Sequence, residues 1–195
     1  MAEKTSVVTS ERFAAGYTYQ DYIAQINVNK ERFEGYYGTA QISAEDTRFF
    51  RKAAQAPKGA ARMLVIGEDW CPDVFRGMPV MARIAEASGM EMRVFPRDAN
   101  LDIMNEFLNR GEFLSIPVAV FYTKDQQYLC HWIERPASAD KERAQIEAII
   151  KKEMPNATEQ ELRAATRERT TARYPSWQQD SVREMRQMLA ISLGI

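Results

Sequence analysis

The chain has 195 residues, enough for one ordinary domain with a hydrophobic core and added segments. Hydrophobic residues make up 45% and charged residues 27%, which is the profile of a globular protein and excludes a disordered chain. The formal net charge is −1 and basic residues are interspersed with acidic ones, so the composition argues against a nucleic-acid partner.

Targeting signals and metal ligands are sparse in this sequence. Met1–Ser6 lack the apolar run of a signal peptide, and no segment reaches the ~18 consecutive apolar residues of a membrane span. We therefore expect a cytoplasmic protein with no membrane partner. Cys71 and Cys130 are the two cysteines and His131 is the single histidine, so we expect no disulfide framework, no metal and no other cofactor.

Residues 1–59 are predicted to form an N-terminal helical extension that packs on the core. Thr18 followed by Asp21 is typical of a helix start, because the hydroxyl can accept a hydrogen bond from the backbone three residues later. Ser43 with Asp46 repeats this pattern. Apolar residues recur at helical spacing after both starts, so the sequence predicts at least two helices here.

Residues 60–154 alternate between strand and helix patterns. The apolar run 63–66 predicts a strand buried on both faces, and Pro72 begins a helix that Gly89 ends. The next predicted elements are a strand at 92–95, a helix at 101–108, and strands at 117–122 and 128–133. A short connection joins the last two strands, which predicts an antiparallel hairpin and the order βαβαββ.

A further helix over 144–150 is expected to pack back on the sheet and to complete a βαβαββα order. Residues 155–195 are then predicted to form a C-terminal helical extension. Thr158 begins a polar helix, and Ser176 is predicted to cap a last amphipathic helix. The apolar stripe of that last helix is expected to pack on the domain or on a second copy of the chain, which would make a homo-oligomer.

Three features at separate places in the chain carry a resemblance to a known family. Trp70-Cys71 follows the first strand, Pro79 lies eight residues after Cys71, and Ile116-Pro117 comes directly before the third strand. In this element order they resemble the thioredoxin superfamily over Ala60–Pro136, and the loop is similar to the subfamily that reads Asp-Trp-Cys. The resemblance implies an α/β thioredoxin-like fold with a mixed central sheet.

The resemblance also implies a site, with Cys71 as its catalytic thiol. The residues implied to bind substrate in a cis-proline groove are Trp70, Pro72, Asp73, Ile116 and Pro117. A cysteine at a helix N-terminus meets unpaired N–H groups and the positive end of the helix dipole, which favour the thiolate. Carboxylates within three residues oppose it: Glu68, Asp69 and Asp73. We therefore predict a modest lowering of the pKa of Cys71.

The sequence departs from the thioredoxin pattern at three valines. Val74 stands at the second position of a Cys-x-x-Cys pair, so Cys71 would act as a monothiol. Val65 and Val94 stand where thioredoxins have a buried acid and its lysine partner. Our first hypothesis is monothiol exchange with protein or low-molecular-weight thiols and disulfides, and the second is a redox-inactive binding or scaffold module.

Other cysteine chemistries fit this loop less well. Leu64 and Glu68 occupy the positions where peroxiredoxins need a proline and a threonine or serine. Pro72-Asp73-Val74 replaces the Gly-Phe-Ser of monothiol glutaredoxins that hold an iron-sulfur cluster. Cys130 is interpreted as a core or edge residue, and His131 as a half-exposed structural residue on the opposite strand face.

Overall fold

The computed structural model describes residues 6–195. Met1–Thr5, on which most of the expectation about a leader segment rests, lie outside the described residues. The described helices are α1 (Ser10–Ala14), α2 (Tyr19–Gln25), α3 (Lys30–Thr39), α4 (Ala44–Gln55), α5 (Pro72–Ser88), α6 (Leu101–Met104), α7 (Ala137–Glu153), α8 (Glu159–Thr171) and α9 (Tyr174–Leu193). The strands are β1 (Arg62–Gly67), β2 (Glu91–Pro96), β3 (Val118–Tyr122) and β4 (Tyr128–Ile133).

The four strands form one mixed sheet in the order β2-β1-β3-β4. β1 and β2 are parallel, whereas β3 is antiparallel to both β1 and β4. Residues Met63–Ile66 of the central strand β1 are fully buried, which explains their continuous apolar run. The predicted fold class is therefore confirmed: an α/β fold of βαβαββα order with added helices at both ends.

Helix α5 begins and ends where the sequence predicts. Cys71 is its N-cap residue and Pro72 occupies the first turn, where a missing N–H costs nothing. Gly89 ends the helix in the left-handed conformation, at φ 80°, which glycine adopts without steric cost. The helix thus runs from the end of the β1 loop across the sheet, with Cys71 fixed at its N-terminus.

Helix α9, and not α7, packs on the sheet beside β4, so the expectation for the 144–150 helix is wrong. α7 packs mainly against α8, and its Ile149 is exposed. α9 contacts β4, α4 and α5, and it buries Val182, Met185 and Leu189 completely. Of the three isoleucines in the α7 pattern, Ile150 is buried, Ile146 is half-buried and Ile149 is exposed, so α7 buries less apolar surface than α9 does.

Two predicted helix boundaries are also wrong. α6 ends at Met104, because Glu106 and Phe107 donate to carbonyls three residues back and the chain tightens into turns. α9 begins at Tyr174, with Pro175 in its first turn, and the Ser176 hydroxyl donates to the Arg173 carbonyl instead of capping. Helices α1 and α3 are additional elements that are too short or too polar to give a clear pattern.

The N-terminal extension touches the sheet at its edge. Tyr17 and Val94 exchange two backbone hydrogen bonds, with N···O distances of 3.0 and 2.7 Å. Gly16 permits this approach, because a Cβ atom at that position would lie 2.4 Å from the ring of Phe95. The following helix α2 has the predicted cap, in which the Asp21 N–H donates to the Thr18 hydroxyl.

One hydrophobic cluster includes Phe33 and Phe50 from the N-terminal helices, Val65 from the sheet and Met185 from α9. The core is thus continuous across the three segments that the sequence suggests, and their division at 59 and 154 stays a prediction. Within residues 6–195, no helix combines the length and the apolar character that crossing a membrane requires.

Candidate functional site

Cys71 lies beside the segment that precedes β3. Its thiol donates to the Ile116 carbonyl oxygen over an Sγ···O distance of 3.8 Å, and the Ile116–Pro117 peptide bond is cis. Cys71 is half-buried, whereas Ile116 and Pro117 are buried. Three of the residues implied by the resemblance therefore meet in space, although 45 positions separate Cys71 from Ile116.

The loop around Cys71 offers an exposed surface. Trp70 is 49% exposed, and the Arg97 guanidinium lies 5.0 Å from the centre of its ring, within cation–π range. Pro72 is exposed on the other side of Cys71. The half-buried Cys71 is thus flanked by an exposed aromatic ring and an exposed proline ring.

An ionic cluster fixes the start of α5 against the segment after β4. The Arg135 guanidinium lies 2.9 Å from Asp73 Oδ2, contacts Glu134, and lies 3.6 Å from Asp140. The Glu134 N–H donates to the Pro117 carbonyl over 2.7 Å. Asp73 is half-buried, and burial raises its pKa against the lowering effect of Arg135 and Arg76. This cluster joins the Cys71 helix to the cis-proline segment.

Burial raises the pKa of the Cys71 thiol, so the predicted modest lowering is wrong. The N–H groups of Val74 and Asp73 lower this pKa, as the helix N-terminus should, but the effect of desolvation is larger. The charges of Asp73 and Glu134 raise it further. The thiol therefore stays protonated to a higher pH than a free cysteine.

The three carboxylates near Cys71 in sequence differ in what they contact. Glu68 accepts the Asp98 N–H over 2.7 Å, and burial raises the pKa of Glu68. Asp69 accepts the N–H groups of Asn27 and Val28, each over 3.2 Å. Both carboxylates are thus engaged by the loops around them. Among the acids, the leading contributions to the raised pKa of Cys71 come from Asp73, which the sequence indicates, and from Glu134, which it does not.

The three valines form an apolar lining behind the site. Val65 and Val94 are register partners on β1 and β2, and both are fully buried, as is Val74. A Cβ atom at Gly67 would lie 2.7 Å from Val74 Cγ1, so the helix packs tightly on the strand end. The interior behind Cys71 contains packed methyl groups in the place of an acid and a lysine.

Sequence reasoning missed Gly77, Glu134 and Arg135. A Cβ atom at Gly77 would lie 3.2 Å from Pro117 Cγ, so this glycine lets the proline approach α5 closely. A glycine inside a helix costs about 1 kcal/mol relative to alanine, and that cost was the available signal. Glu134 and Arg135 gave a weaker signal, as a charged pair directly after an apolar strand.

Cys130 and His131 lie on β4. Their register partners are Phe121 and Val120, further along β3 than Val118, which follows the cis-proline segment. Cys130 is opposite Phe121, and burial raises its pKa to about 12. His131 Nδ1 lies 2.7 Å from the Tyr128 hydroxyl, and burial lowers the pKa of the imidazole. Both cysteines are free thiols. Over residues 6–195, no group of three His, Cys, Asp or Glu side chains could hold a metal ion.

Comparisons with known proteins place these observations in a family context. A family model described as thioredoxin matches residues 16–148. A protein of unknown function from Pseudomonas aeruginosa is similar in structure, with 15% identity over 96% of this chain and 98% of that chain, and a TM-score of 0.64. An HIV epitope scaffold is also similar in structure, with 15% identity over 98% of this chain and 99% of that chain, and a TM-score of 0.62. At this level of identity, the two structures show a shared fold. The comparison with curated proteins found no match to this chain.

Proposed function

The chain belongs to the thioredoxin family, and on that premise we propose that Cys71 exchanges disulfides as a monothiol. The observation that carries the proposal is the position of the thiol, at the N-terminus of α5 and 3.8 Å from the Ile116 carbonyl. The groove would consist of Trp70, Pro72, Asp73, Ile116 and Pro117. Its partners would be protein or low-molecular-weight thiols and disulfides of the cytoplasm.

The reaction needs two balanced exchanges. In the first, the Cys71 thiolate attacks one sulfur of a disulfide, forms a mixed disulfide and releases the other sulfur as a thiolate. Cys71 is thereby oxidised and the departing sulfur is reduced. In the second, an external thiolate attacks the partner's sulfur, forms a new disulfide with it and releases the Cys71 thiolate. Val74 cannot supply this second thiol, so it must come from solution.

Burial of Cys71 is expected to slow both exchange steps. Because burial raises the pKa of Cys71, a smaller fraction is thiolate at neutral pH, and the first exchange is slow. A thiol of high pKa is also a poor leaving group, so an external thiol displaces Cys71 slowly from its mixed disulfide. We therefore expect long-lived mixed disulfides, which suit a protein that holds a partner.

Reaction with glutathione disulfide tests the proposal. In a Cys130→Ser variant we expect one glutathione adduct by mass spectrometry, at a rate that still increases above the free-thiol pKa of ~8.5. The matched Cys71→Ser variant should react far more slowly, because burial raises the pKa of Cys130 to about 12. Equal rates in the two variants, or no adduct on Cys71 while the unfolded protein reacts, would contradict the proposal.

A redox-inactive binding module is the second candidate, and the apolar lining behind Cys71 favours it. Val65, Val74 and Val94 are fully buried and leave no group there to move a proton. The two candidates differ in their response to Cys71→Ser in cells that lack the natural protein. If the Cys71→Ser protein does not restore the function that these cells have lost, exchange is supported. If it restores that function fully, binding through the groove alone is supported.

A further inference from the structure

An open cleft of about 650 Å³ lies next to the N-terminus of α5, between that helix, α7 and α8. Its volume falls within the ~300–1,000 Å³ of small-molecule sites. Pro72 and Asp73 form one end, so the cleft adjoins the Cys71 loop without including the thiol. Six cationic side chains line it: Arg32, Arg76, Arg143, Lys151, Arg163 and Arg167.

The carboxylates in the cleft leave part of this positive charge uncompensated. Glu147 pairs with Arg143 at 3.2 Å, and Glu159 pairs with Arg163 at 3.1 Å. The third, Asp73, pairs with Arg135 at 2.9 Å. Within residues 6–195, Arg32, Lys151 and Arg167 have no carboxylate within ion-pair distance. We call these three the cationic rim.

Arg76 lies deeper than the rim, and its ion pair with Asp73 is long. Its side chain is 14% exposed, and its guanidinium carbon lies 3.6 Å from the centre of the Tyr174 ring. The nearest carboxylate, Asp73, is 4.0 Å away. Its Nε is buried and finds no hydrogen-bond partner in the part of the chain that the structure describes. A guanidinium carries five N–H donors, and leaving such donors unpaired in a buried place is costly.

We propose that this cleft binds a small organic anion with at least two carboxylate or phosphate groups. One group would take the fork of Arg76, which suits planar bidentate contacts, and another would meet the cationic rim. Two side chains with apolar surface in the same cleft, Leu162 and Tyr174, would contact the body of the ligand. This site is separate from the Cys71 thiol and goes beyond the proposed exchange reaction.

Isothermal titration calorimetry with citrate and with pyrophosphate at low ionic strength tests the site, and the two probes distinguish carboxylate from phosphate recognition. We expect one bound anion per chain, with an affinity that falls as salt rises. Arg76→Gln should weaken binding at least about tenfold, as expected for the loss of a charge-assisted hydrogen bond. Neutralising the cationic rim with three Gln substitutions should weaken it similarly.

The matched control removes three exposed cations that lie elsewhere: Arg48→Gln, Lys52→Gln and Lys124→Gln. This variant has the same net charge as the rim variant, and it should bind the probe as the natural protein does. Circular dichroism and thermal unfolding establish that each variant is folded. Equal weakening in the control, or binding of neither anion at millimolar concentration, would overturn the proposal.

Cys71→Ser separates this proposal from the exchange reaction. Because the cleft does not contain the thiol, this variant should bind the anion with unchanged affinity even though it lacks the thiol of the proposed exchange. Loss of anion binding in a folded Cys71→Ser protein would place the anion at the thiol and overturn the assignment to the cleft.

Discussion

At Cys71, two local effects act on the thiol in opposite directions. The N–H groups of Val74 and Asp73 stabilise a thiolate, while desolvation and the charges of Asp73 and Glu134 favour the neutral thiol. Desolvation is the largest of these effects and sets the direction. A helix N-terminus therefore does not activate a cysteine when the same packing removes it from water.

Val74→Cys tests at the residue scale whether the missing second thiol determines how long a mixed disulfide lasts. In a Cys130→Ser background, we expect the new thiol to attack the Cys71 sulfur, release glutathione and leave an intramolecular disulfide. The glutathione adduct should then decay much faster than in the parent, as followed by mass spectrometry. The loss of packed methyl groups should cost about 1 kcal/mol of stability.

Val74→Ala is the control for that experiment, because it also shortens the buried side chain but adds no thiol. Its adduct should persist as in the parent. An adduct that persists equally in a folded Val74→Cys protein would show that the resolving position does not control release.

At the residue scale, the sequence predicts what is contiguous and misses what depends on register. Trp70, Cys71 and Pro72 are neighbours in the chain, so their common loop follows from one turn. Glu134 and Arg135 reach the same place only because β4 returns beside β3 and ends at that edge. The sign of the pKa change also depends on burial, which is a property of the assembled core.

At the scale of elements, α9 replaces α7 as the helix that covers the sheet beside β4. Met185 is fully buried in this contact, whereas Ile191 of the same helix is 75% exposed. We expect Met185→Ala to lower the free energy of unfolding by about 2–5 kcal/mol, through lost transfer energy and a residual cavity. Urea unfolding followed by circular dichroism measures the change.

Ile191→Ala provides the matched comparison for α9 and should change the free energy of unfolding by less than about 0.5 kcal/mol. Similar losses in the two variants would mean that α9 does not pack on the core as described.

Individual elements were easier to predict than the choice of which helix covers the sheet. The hydroxyls of Thr18, Ser43 and Thr158 cap the helices that they were expected to begin, because capping is a local interaction. Both α7 and α9 carry apolar residues at helical spacing. The competition between them is decided by total buried area in the folded protein, and the pattern of either helix alone does not contain that comparison.

For the whole molecule, buried acidic groups predict a loss of stability at alkaline pH. Burial raises the pKa of Tyr19, Tyr22, Cys71 and Cys130 in the folded protein. In the unfolded chain, the pKa of a thiol is ~8.5 and that of a phenol is ~10. The unfolded state therefore binds fewer protons above these values, and the free energy of unfolding should fall as pH rises from about 8.5 towards 11.

Tyr22→Phe tests the tyrosine part of this prediction. The Tyr22 hydroxyl is buried and finds no hydrogen-bond partner among residues 6–195, so its removal at neutral pH should cost less than about 1 kcal/mol. The variant should lose less stability between pH 9 and 11 than the natural protein, as measured by urea unfolding at each pH. Tyr17→Phe removes a hydroxyl from a 41% exposed tyrosine and should leave the pH dependence unchanged.

The backbone bridge between Tyr17 and Val94 matters when the protein is concentrated. β2 is an edge strand, and free edges of this kind recruit strands from other chains and start aggregation. Tyr17 occupies both outward backbone groups of Val94 in the middle of that edge. Resistance to aggregation along β2 is therefore supplied by the segment before α2, and a chain shortened beyond Tyr17 would present an open edge to its neighbours.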